Sequence, residues 1–392
     1  MSRYLFVVPP LLGHVRPAGA IADELTARGH EVAWVGSKMA LVPVLGDQAH
    51  IYKTGTRIHR PQADRGLASI RSLWQEFLVS YTKFIRPSVA KAVADFEPDV
   101  IVTDQHAPAG AIVGERTGTP WAVLACSTIE LNRPFRQLPG VEAWLAEQRR
   151  RIVTDAGLAP DFDFRFSAHL TVSPTTPGLT GPLELTGPLA QVGACLGARP
   201  DEPDFDWSWL DGRRLVLISA GTLADDLSVD FYRRAIEAVA GMADEVQAIV
   251  IADPAALPKP PEHVRIATRV PMLALLPRLS AVISHGGWNT VSESLLHGVP
   301  LVLAPIRHDQ PLNASLVGAA GAGVRVNFVR SSAAELRAAL TEVLSESAYR
   351  DAASAIAAEC RSAGGAPAAA ALLEGLMMSR ESEPVSVVGA MR

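Results

Sequence analysis

Short apolar runs alternate with helical segments along nearly all of the 392-residue chain, and the whole pattern occurs twice. A strand that reads as a continuous apolar run is buried on both faces, and the helices between such strands supply the crossovers of a parallel sheet. We therefore predict an α/β fold with two doubly wound, Rossmann-like domains that face each other across a cleft. The predicted strands are residues 4–8, 31–36, 98–104 and 120–126 in the first half, and residues 215–219, 246–252, 264–267, 281–284, 300–305 and 324–327 in the second.

The segment 284–314, SHGGWNTVSESLLHGVPLVLAPIRHDQPLNA, predicts a binding site. It reads as the end of a strand, a His-Gly-Gly turn, a helix, another strand and a loop with Asp309 and Gln310. Gly286 and Gly287 allow backbone N–H groups to approach a ligand closely, and the N-terminus of the following helix attracts anions. The later carboxylate and amide offer hydrogen-bonding groups to hydroxyls. A phosphate site and a polyol site in one segment favour a nucleotide sugar as the ligand.

This segment resembles the donor-binding signature of the inverting glycosyltransferases of the GT-B fold, family GT1, which transfer sugars from UDP- or dTDP-sugars to antibiotics, macrolides and other natural products. The resemblance extends weakly over nearly the whole chain. It implies the GT-B architecture and a glycosyltransferase activity. The matching positions are His285, Gly287, Asn289, Thr290, Glu293, Gly298, Val299, Pro300, Pro305, Asp309, Gln310, Asn313 and Ala314.

The chain is long for one domain and comfortable for two. We expect an acceptor-binding domain over residues 1–187 and a nucleotide-sugar-binding domain over residues 213–365. The Pro-, Gly- and Asp-rich residues 188–212 read as an interdomain linker. The resemblance further implies that a helix at residues 366–378 crosses back to the first domain, and residues 379–392 form a polar tail.

The candidate catalytic pair is His14 and Asp104. His14 follows the first predicted strand and precedes a helix predicted from about Pro17 to Arg28. An imidazole with a near-neutral pKa suits the removal of a proton from an attacking hydroxyl. The resemblance assigns this base role to His14 and assigns to Asp104 the orientation of the imidazole. The alternatives are that each residue caps a following helix, and the nearby His106 leaves the pairing open.

The resemblance implies a donor site in the second half. His285 is expected at the diphosphate, with Asn289 and Thr290 adding hydrogen bonds at the start of a helix, or else capping that helix. Glu293 is expected to hold the ribose. The donor-binding residues predicted together are Ser219, Gly221, Thr222, Val270, His285, Gly286, Gly287, Asn289, Thr290, Glu293, Asp309 and Gln310.

Two features bear on the donor. Asp309 and Gln310 match positions that hold sugar hydroxyls, which favours a hexose with free hydroxyls near C3 and C4. Val270 matches the loop that contacts the base, but the neighbouring Arg269 and Met272 depart from the family pattern. The choice between uracil and thymine therefore stays open.

No metal and no cofactor beyond the nucleotide sugar are predicted. Asp161 and Asp163, and likewise Asp204 and Asp206, match the Asp-x-Asp string of metal-dependent glycosyltransferases, but both strings lie in loop or linker sequence. The resemblance implies that backbone amides and His285 balance the charge of the diphosphate instead.

The composition excludes several protein classes. A net charge of −5 argues against a nucleic-acid partner. Three widely spaced cysteines form neither a disulfide framework nor a metal cluster, and they fit a reducing cytoplasm. No apolar run reaches the ~18 residues that a membrane span needs, and prolines, a glycine and a histidine interrupt the apolar residues 4–15, which do not read as a signal peptide. We expect a cytoplasmic protein without a membrane span.

The predicted function is the transfer of a hexose to a hydroxyl or nitrogen of a lipophilic small molecule, with inversion and without a metal. The alternatives are a nucleotide-sugar epimerase of the same fold and a catalytically silent partner of a transferase. A nicotinamide-dependent dehydrogenase is disfavoured, because prolines replace the glycine-rich turn after the first strand. The oligomeric state is open, with a homodimer as one alternative.

Two segments of the first half keep two interpretations each. The arginine-rich residues 53–71 read as an exposed acceptor loop or as an anion contact. An apolar stripe at helical spacing reads as core packing or as part of a ligand cleft. Its members are Leu67, Ile70, Leu73, Trp74, Phe77, Leu78, Tyr81, Phe84 and Ile85.

Overall fold

Two parallel β-sheets, each covered by helices on both faces, form the framework of the protein. The computed structural model describes residues 1–55, 64–199, 202–221 and 226–381. Within these ranges the first sheet has seven strands in the order β3-β2-β1-β4-β5-β6-β7, and the second has six in the order β10-β9-β8-β11-β12-β13. The α/β fold class predicted from the sequence is confirmed. In the same described ranges, no helix is both long and apolar enough to cross a membrane.

The first sheet and its helices come from the first half of the chain. A π-helical turn, Leu73–Leu78, joins α3 to α4. The elements are β1 (Arg3–Val7), α1 (Leu12–Ala27), β2 (Glu31–Gly36), α2 (Lys38–Leu45), β3 (Ile51–Lys53), α3 (Gly66–Ser72), α4 (Val79–Phe96), β4 (Val100–Asp104), α5 (Ala109–Thr117), β5 (Trp121–Leu124), α6 (Thr128–Asn132), α7 (Pro139–Asp155), β6 (Leu170–Ser173), α8 (Pro177–Thr180) and β7 (Leu189–Gln191).

The second sheet follows a short 3₁₀ turn, Trp207–Trp209. Its elements are β8 (Arg214–Ser219), α9 (Asp226–Ala240), β9 (Val246–Ile251), β10 (Val264–Ala267), α10 (Met272–Leu275), β11 (Leu279–Ser284), α11 (Trp288–Leu296), β12 (Leu301–Leu303), α12 (Gln310–Ala319), β13 (Gly323–Arg325), α13 (Ala333–Ser345), α14 (Ser347–Ala363) and α15 (Gly365–Glu381).

Helices bury both faces of the first sheet. On one face Leu5 and Val7 of β1 pack with α4 and α5, and on the other Tyr4 and Phe6 pack with α1 and α15. Leu373 of α15 belongs to this second cluster, so the last helix lies on the first domain although the chain reaches it from the second. This burial on both sides explains why β1 reads as an unbroken apolar run.

The first helix begins five residues earlier than expected. The sequence placed its start at Pro17, but α1 begins at Leu12 and includes Pro17. The backbone N–H groups of His14 and Val15 both donate to the carbonyl of Leu11, so the first turn forms before the proline, which removes only its own N–H bond. His14 therefore lies in the first turn of α1, not in a loop before the helix.

Three short strands escaped the sequence analysis. They are β3, β6 and β7, of three or four residues each. The last of them, Leu189–Gln191, lies inside residues 188–212, which were expected to form a linker. The prolines and glycines around this short edge strand concealed it in the sequence. The first sheet thus continues past residue 187.

The apolar stripe of the first half is core. Ile70, Trp74 and Tyr81 are each at most 3% exposed and pack against β1 and β2 in one cluster. Leu67 and Phe84 are the exceptions, with 51% and 38% exposure. In the arginine-rich segment, residues 56–63 lie outside the described residues, and α3 forms from Gly66 onward.

Sheet order brings the ends of particular strands together. In the first sheet β1 lies between β2 and β4, and in the second β8 lies between β9 and β11. The chain leaves such central strands in opposite directions, which opens a crevice at their carboxyl ends. The residues that follow β1, β4, β8 and β11 therefore meet at two facing edges.

One glycine keeps the end of β4 in place. A Cβ at Gly110 of α5 would lie 2.4 Å from Oγ1 of Thr103 and 3.2 Å from Cβ of Val7. We expect Gly110→Ala to lower the free energy of unfolding by about 1–3 kcal/mol, because the added methyl group must displace β4 or β1. Denaturant unfolding measures this change.

Gly140→Ala is the matched control. Gly140 lies in the first turn of α7, and among the described residues no heavy atom outside its own helix turn lies within 4 Å of a Cβ added there. Its replacement should leave stability unchanged or slightly raised, because alanine favours the helix. Equal stability of the two variants would contradict the tight packing of α5 on β4.

Candidate active site

His14 and Asp104 lie in contact at the edge of the first sheet. Nδ1 of His14 is 2.8 Å from Oδ2 and 3.0 Å from Oδ1 of Asp104. The carboxylate is buried and also accepts the backbone N–H of His106 at 2.7 Å. Since an ionised carboxylate only accepts, Nδ1 of His14 carries the proton and Nε2 keeps its lone pair. This arrangement presents a neutral imidazole as a proton acceptor.

The pair shifts the pKa values of both residues. Burial alone would lower the pKa of His14, but the charge of Asp104 and the hydrogen bond outweigh it and raise that pKa above its ordinary value. Burial would raise the pKa of Asp104, yet His14 and His106 hold it below the usual range. The ionised carboxylate therefore stabilises the imidazolium that forms when His14 takes a proton.

His106 lies beside the pair and does not replace it. Its ring is 4.6 Å from the ring of His14, centre to centre, and its Nδ1 is buried without a hydrogen-bond partner. Burial lowers the pKa of His106 to about 3, so this imidazole stays neutral. In the described parts of the chain, His14, Asp104 and His106 each offer one atom that could bind a metal ion. These three atoms lie within 4.8 Å of one another.

The two Asp-x-Asp strings lie in other surroundings. Asp163 accepts hydrogen bonds from Arg165 at 2.7 Å, and Arg165 also contacts Glu130 in a buried network. Asp206 caps the 3₁₀ turn at Trp207–Trp209 and pairs with Arg265 at 3.0 Å. An arginine thus balances one carboxylate of each string.

The His-Gly-Gly turn folds tightly around its own imidazole. The N–H of His285 donates to the carbonyl of Ser219, which joins the ends of β11 and β8. A Cβ at Gly221 or at Gly287 would lie 2.9 or 2.6 Å from the His285 ring, and Gly286 has a positive φ of 83°. Glycine is therefore required at these positions. Burial lowers the pKa of His285 to about 4, so the ring is neutral and can donate one N–H.

The helix after the turn starts one residue before Asn289. Gly287 is the N-cap residue of α11 and supplies no side-chain cap. Asn289 and Thr290 are the second and third helical residues, so they lie in the first turn as expected, but neither is the N-cap residue. The first N–H groups of α11 remain available at the positive end of the helix dipole.

The loop between β12 and α12 holds its two polar residues differently. Asp309 precedes α12, and its Oδ2 accepts the amide of Asn313 at 3.1 Å. Burial raises the pKa of Asp309, although Asn313 and the nearby His14 oppose that shift. The side-chain carbonyl of Gln310 accepts the N–H groups of Ile306 and Arg307 at 3.0 Å each. Gln310 therefore shapes the loop with its oxygen and has only its NH₂ group for a ligand.

A cavity of about 480 Å³ lies between the two halves. Val270, Asn289, Thr290 and Glu293 line it from the second half, and α1 lines it from the first. A Cβ at Gly13 would be 4.0 Å from Oδ1 of Asn289, so the starts of α1 and α11 face each other across the cleft.

The cavity also contains a contact that the sequence did not indicate. Arg199 forms an ion pair with Glu293, the residue expected to hold the ribose, and lies 3.9 Å from Glu202. Burial and the guanidinium of Arg199 lower the pKa of Arg16 on α1. Arg199 lies far from Glu293 along the chain in an irregular segment, so spacing gave no signal. Of the other predicted donor residues, Ser219 and Gly221 lie beside His285, and Thr222 lies outside the described residues.

The fold has two doubly wound domains, with a His–Asp pair on one and a glycine turn at the start of a helix on the other. These features define a two-domain enzyme of the GT-B type. The family model "Erythromycin biosynthesis protein CIII-like, C-terminal domain" matches residues 233–374. The chain is 28% identical to 4'-demethylrebeccamycin synthase of Lentzea aerocolonigenes, over 96% of this chain and 100% of the relative. It is 28% identical to NDP-glycosyltransferase YjiC of Bacillus subtilis, over 94% and 95%.

Solved structures share the fold. The glycotransferase of kitacinnamycin superposes with a TM-score of 0.79 at 23% identity, covering 96% of this chain and 99% of the other. Glycosyltransferase VinC, solved in complex with dTDP, gives 0.76 at 19% identity, covering 96% and 100%. The chain is thus similar over nearly its whole length to natural-product glycosyltransferases, and it is an enzyme of the glycosyltransferase class.

Replacing Asp104 tests the assignment of the base. In Asp104→Asn the pKa of His14 should fall, because burial remains while the attractive charge is gone. The acid limb of the pH profile, below which His14 is protonated, should move to lower pH, and the plateau of kcat/KM should drop by about 100-fold or more.

The exposed Asp155, which pairs with Lys83 in the same domain, gives the control variant Asp155→Asn. This variant should keep the wild-type limb. An acid limb that stays in place in Asp104→Asn would show that a group other than His14 limits the rate.

Proposed function

We propose that this glycosyltransferase moves a hexose from UDP- or dTDP-sugar to a hydroxyl or nitrogen of a lipophilic small molecule, with inversion and without a metal ion. The observation that supports this best is the contact between His14 and Asp104 in the cleft that the donor turn faces. No cofactor is needed beyond the nucleotide sugar, which is a co-substrate.

The reaction is a single displacement. Nε2 of His14 takes the proton of the acceptor hydroxyl while that oxygen attacks the anomeric carbon from the face opposite the nucleoside diphosphate. The bond between the anomeric carbon and the diphosphate oxygen breaks, so the configuration inverts. Asp104 stabilises the imidazolium, as the carboxylate of a serine-protease triad does. The proton then passes from His14 to solvent.

The leaving diphosphate gains negative charge in the transition state. The backbone N–H of Gly287, the ring N–H of the neutral His285 and the first N–H groups of α11 supply donors that are already in place. Such preorganised donors stabilise charge where it develops. This set supports a reaction without a metal, and Asp309 and the NH₂ of Gln310 would hold the sugar hydroxyls.

The relatives support the substrate classes. Among them are a zeaxanthin glucosyltransferase of Pantoea ananas and an elloramycin glycosyltransferase of Streptomyces olivaceus. A rhamnosyltransferase, SpnG, was solved with thymidine diphosphate, as VinC was. These names favour a lipophilic acceptor, and the two complexes favour a nucleoside diphosphate donor, for this chain as well.

Removing the base should abolish most of the turnover. We expect His14→Ala to lower kcat by about 10²- to 10⁴-fold, because the acceptor oxygen would then attack without losing its proton to a positioned group. Turnover is measured with a panel of phenolic and polyketide acceptors, and donor binding is measured separately by calorimetry. Near-wild-type turnover with intact donor binding would refute the role of His14.

The donor can be identified by thermal shift. UDP, dTDP, GDP and NAD are compared with and without a chelator, and a ligand at 100 times its Kd should stabilise the protein by about 2.7 kcal/mol. We expect UDP or dTDP to raise Tm whether or not the chelator is present. A response to NAD alone would overturn the proposal, and a response to UDP or dTDP that the chelator abolishes would overturn its metal-free part.

A further inference from the structure

A buried hydrogen bond joins the two domains next to the sugar-binding loop. The hydroxyl of Thr128, the first residue of α6, donates to Oδ1 of Asn313 on α12 at 2.6 Å. Both residues are 0% exposed. α6 follows β5 of the first sheet, and α12 follows β12 of the second. This contact therefore joins the two domains, and a separation of the domains would break it.

The same asparagine holds two parts of the donor site. Its Nδ2 donates to the carbonyl of Gly286 at 2.9 Å and to Oδ2 of Asp309 at 3.1 Å. Both hydrogens of the amide and its oxygen are thus engaged. The amide cannot turn without breaking all three bonds. Asn313 links the diphosphate turn, the sugar-binding carboxylate and the acceptor domain.

A second contact from the acceptor domain reaches the same loop. The N–H of His308 donates to Oγ of Ser69 on α3 at 3.1 Å, and that hydroxyl donates to the carbonyl of Gly66 at 2.7 Å. His308 has a positive φ of 52°, which a residue with a side chain adopts only when its surroundings hold it there. Asp309 therefore lies between two contacts made by the first domain.

We propose that Thr128 and Asn313 are positioning residues through which the acceptor domain sets the orientation of Asp309, so that the sugar is held for attack only when the cleft is closed. This inference rests on the proposed function. When the domains separate, the carbonyl of Asn313 loses its buried donor, and the amide can rotate away from Asp309. The hydrogen bonds that hold the donor loop therefore depend on contact with the first domain, which carries the base.

The arrangement predicts a preference for transfer over hydrolysis. In hydrolysis, water attacks the anomeric carbon, the nucleoside diphosphate leaves, and the second proton of water goes to solvent. If the sugar is correctly held only in the closed cleft, water in an open cleft attacks a poorly oriented donor. Loosening the Thr128 contact should slow transfer more than hydrolysis, because transfer needs the acceptor, the base and the held sugar together. The fraction of donor that is hydrolysed should therefore rise.

Thr128→Val tests this coupling, because it removes the hydroxyl and keeps the shape. We expect kcat for transfer to fall by about tenfold, since a buried acceptor atom is left without a donor. The ratio of hydrolysis to transfer should rise at least about threefold, which corresponds to about 0.65 kcal/mol in the difference between the two barriers. The Kd of the donor, measured without acceptor, should change by less than about twofold, which is the size of effect expected between sites that do not interact.

Two variants separate positioning from stability. Thr128→Ser restores the hydroxyl and should restore both kcat and the ratio. Thr82→Val removes a buried hydroxyl of α4 that donates to the carbonyl of Leu78, the last residue of the preceding π-helical turn, at 2.7 Å. This variant should lower Tm without changing the ratio. If Thr128→Val does not fold, Ser69→Ala removes the second contact and should also raise the hydrolysed fraction.

Several results would overturn the inference. Wild-type kcat and ratio in Thr128→Val would do so, and so would a ratio in Thr82→Val that rises equally. Failure of Thr128→Ser to restore the ratio would also count against it. If the wild-type enzyme transfers no sugar to any acceptor, the proposed function itself fails, which is a different result from a wild type that transfers and a Thr128→Val that matches it.

Discussion

Parallel pairing of β1 with β4 and of β8 with β11 is the constraint on which the site depends. Parallel strands end at the same edge of a sheet, so residues far apart along the chain meet there. His14 and Asp104 come together in this way, and so do Ser219 and His285. The chemistry of each half follows from which strands are neighbours.

The cost of burying polar groups explains why the site is so fully connected. A buried carboxylate or amide that lacks hydrogen-bond partners lowers the stability of the fold by more than a satisfied hydrogen bond raises it. Asp104 accepts from an imidazole and a backbone amide, and the amide of Asn313 uses both hydrogens and its oxygen. The same bonds that satisfy these groups fix their orientation. Stability and preorganisation therefore have one source here.

The sequence pattern predicted the long buried strands and missed the short ones. β1, β8 and β11 carry five or six residues, most of them apolar and buried, whereas the three residues of β3 and of β7 are all at least partly exposed. Short edge strands need little hydrophobic burial, so their pattern is weak. The start of α1 was misplaced for a different reason: a proline normally marks the first turn of a helix, but Pro17 lies inside this one.

The sequence by itself determined the fold class and the donor turn, because these depend on local pattern and on spacing within one segment, and the family resemblance added the candidate base. The tertiary structure decided which side chains satisfy each other. It placed Arg199 on Glu293, turned the oxygen of Gln310 back into its own loop, and joined Thr128 to Asn313. Contacts between distant segments depend on how the domains pack, and no spacing along the chain encodes that packing.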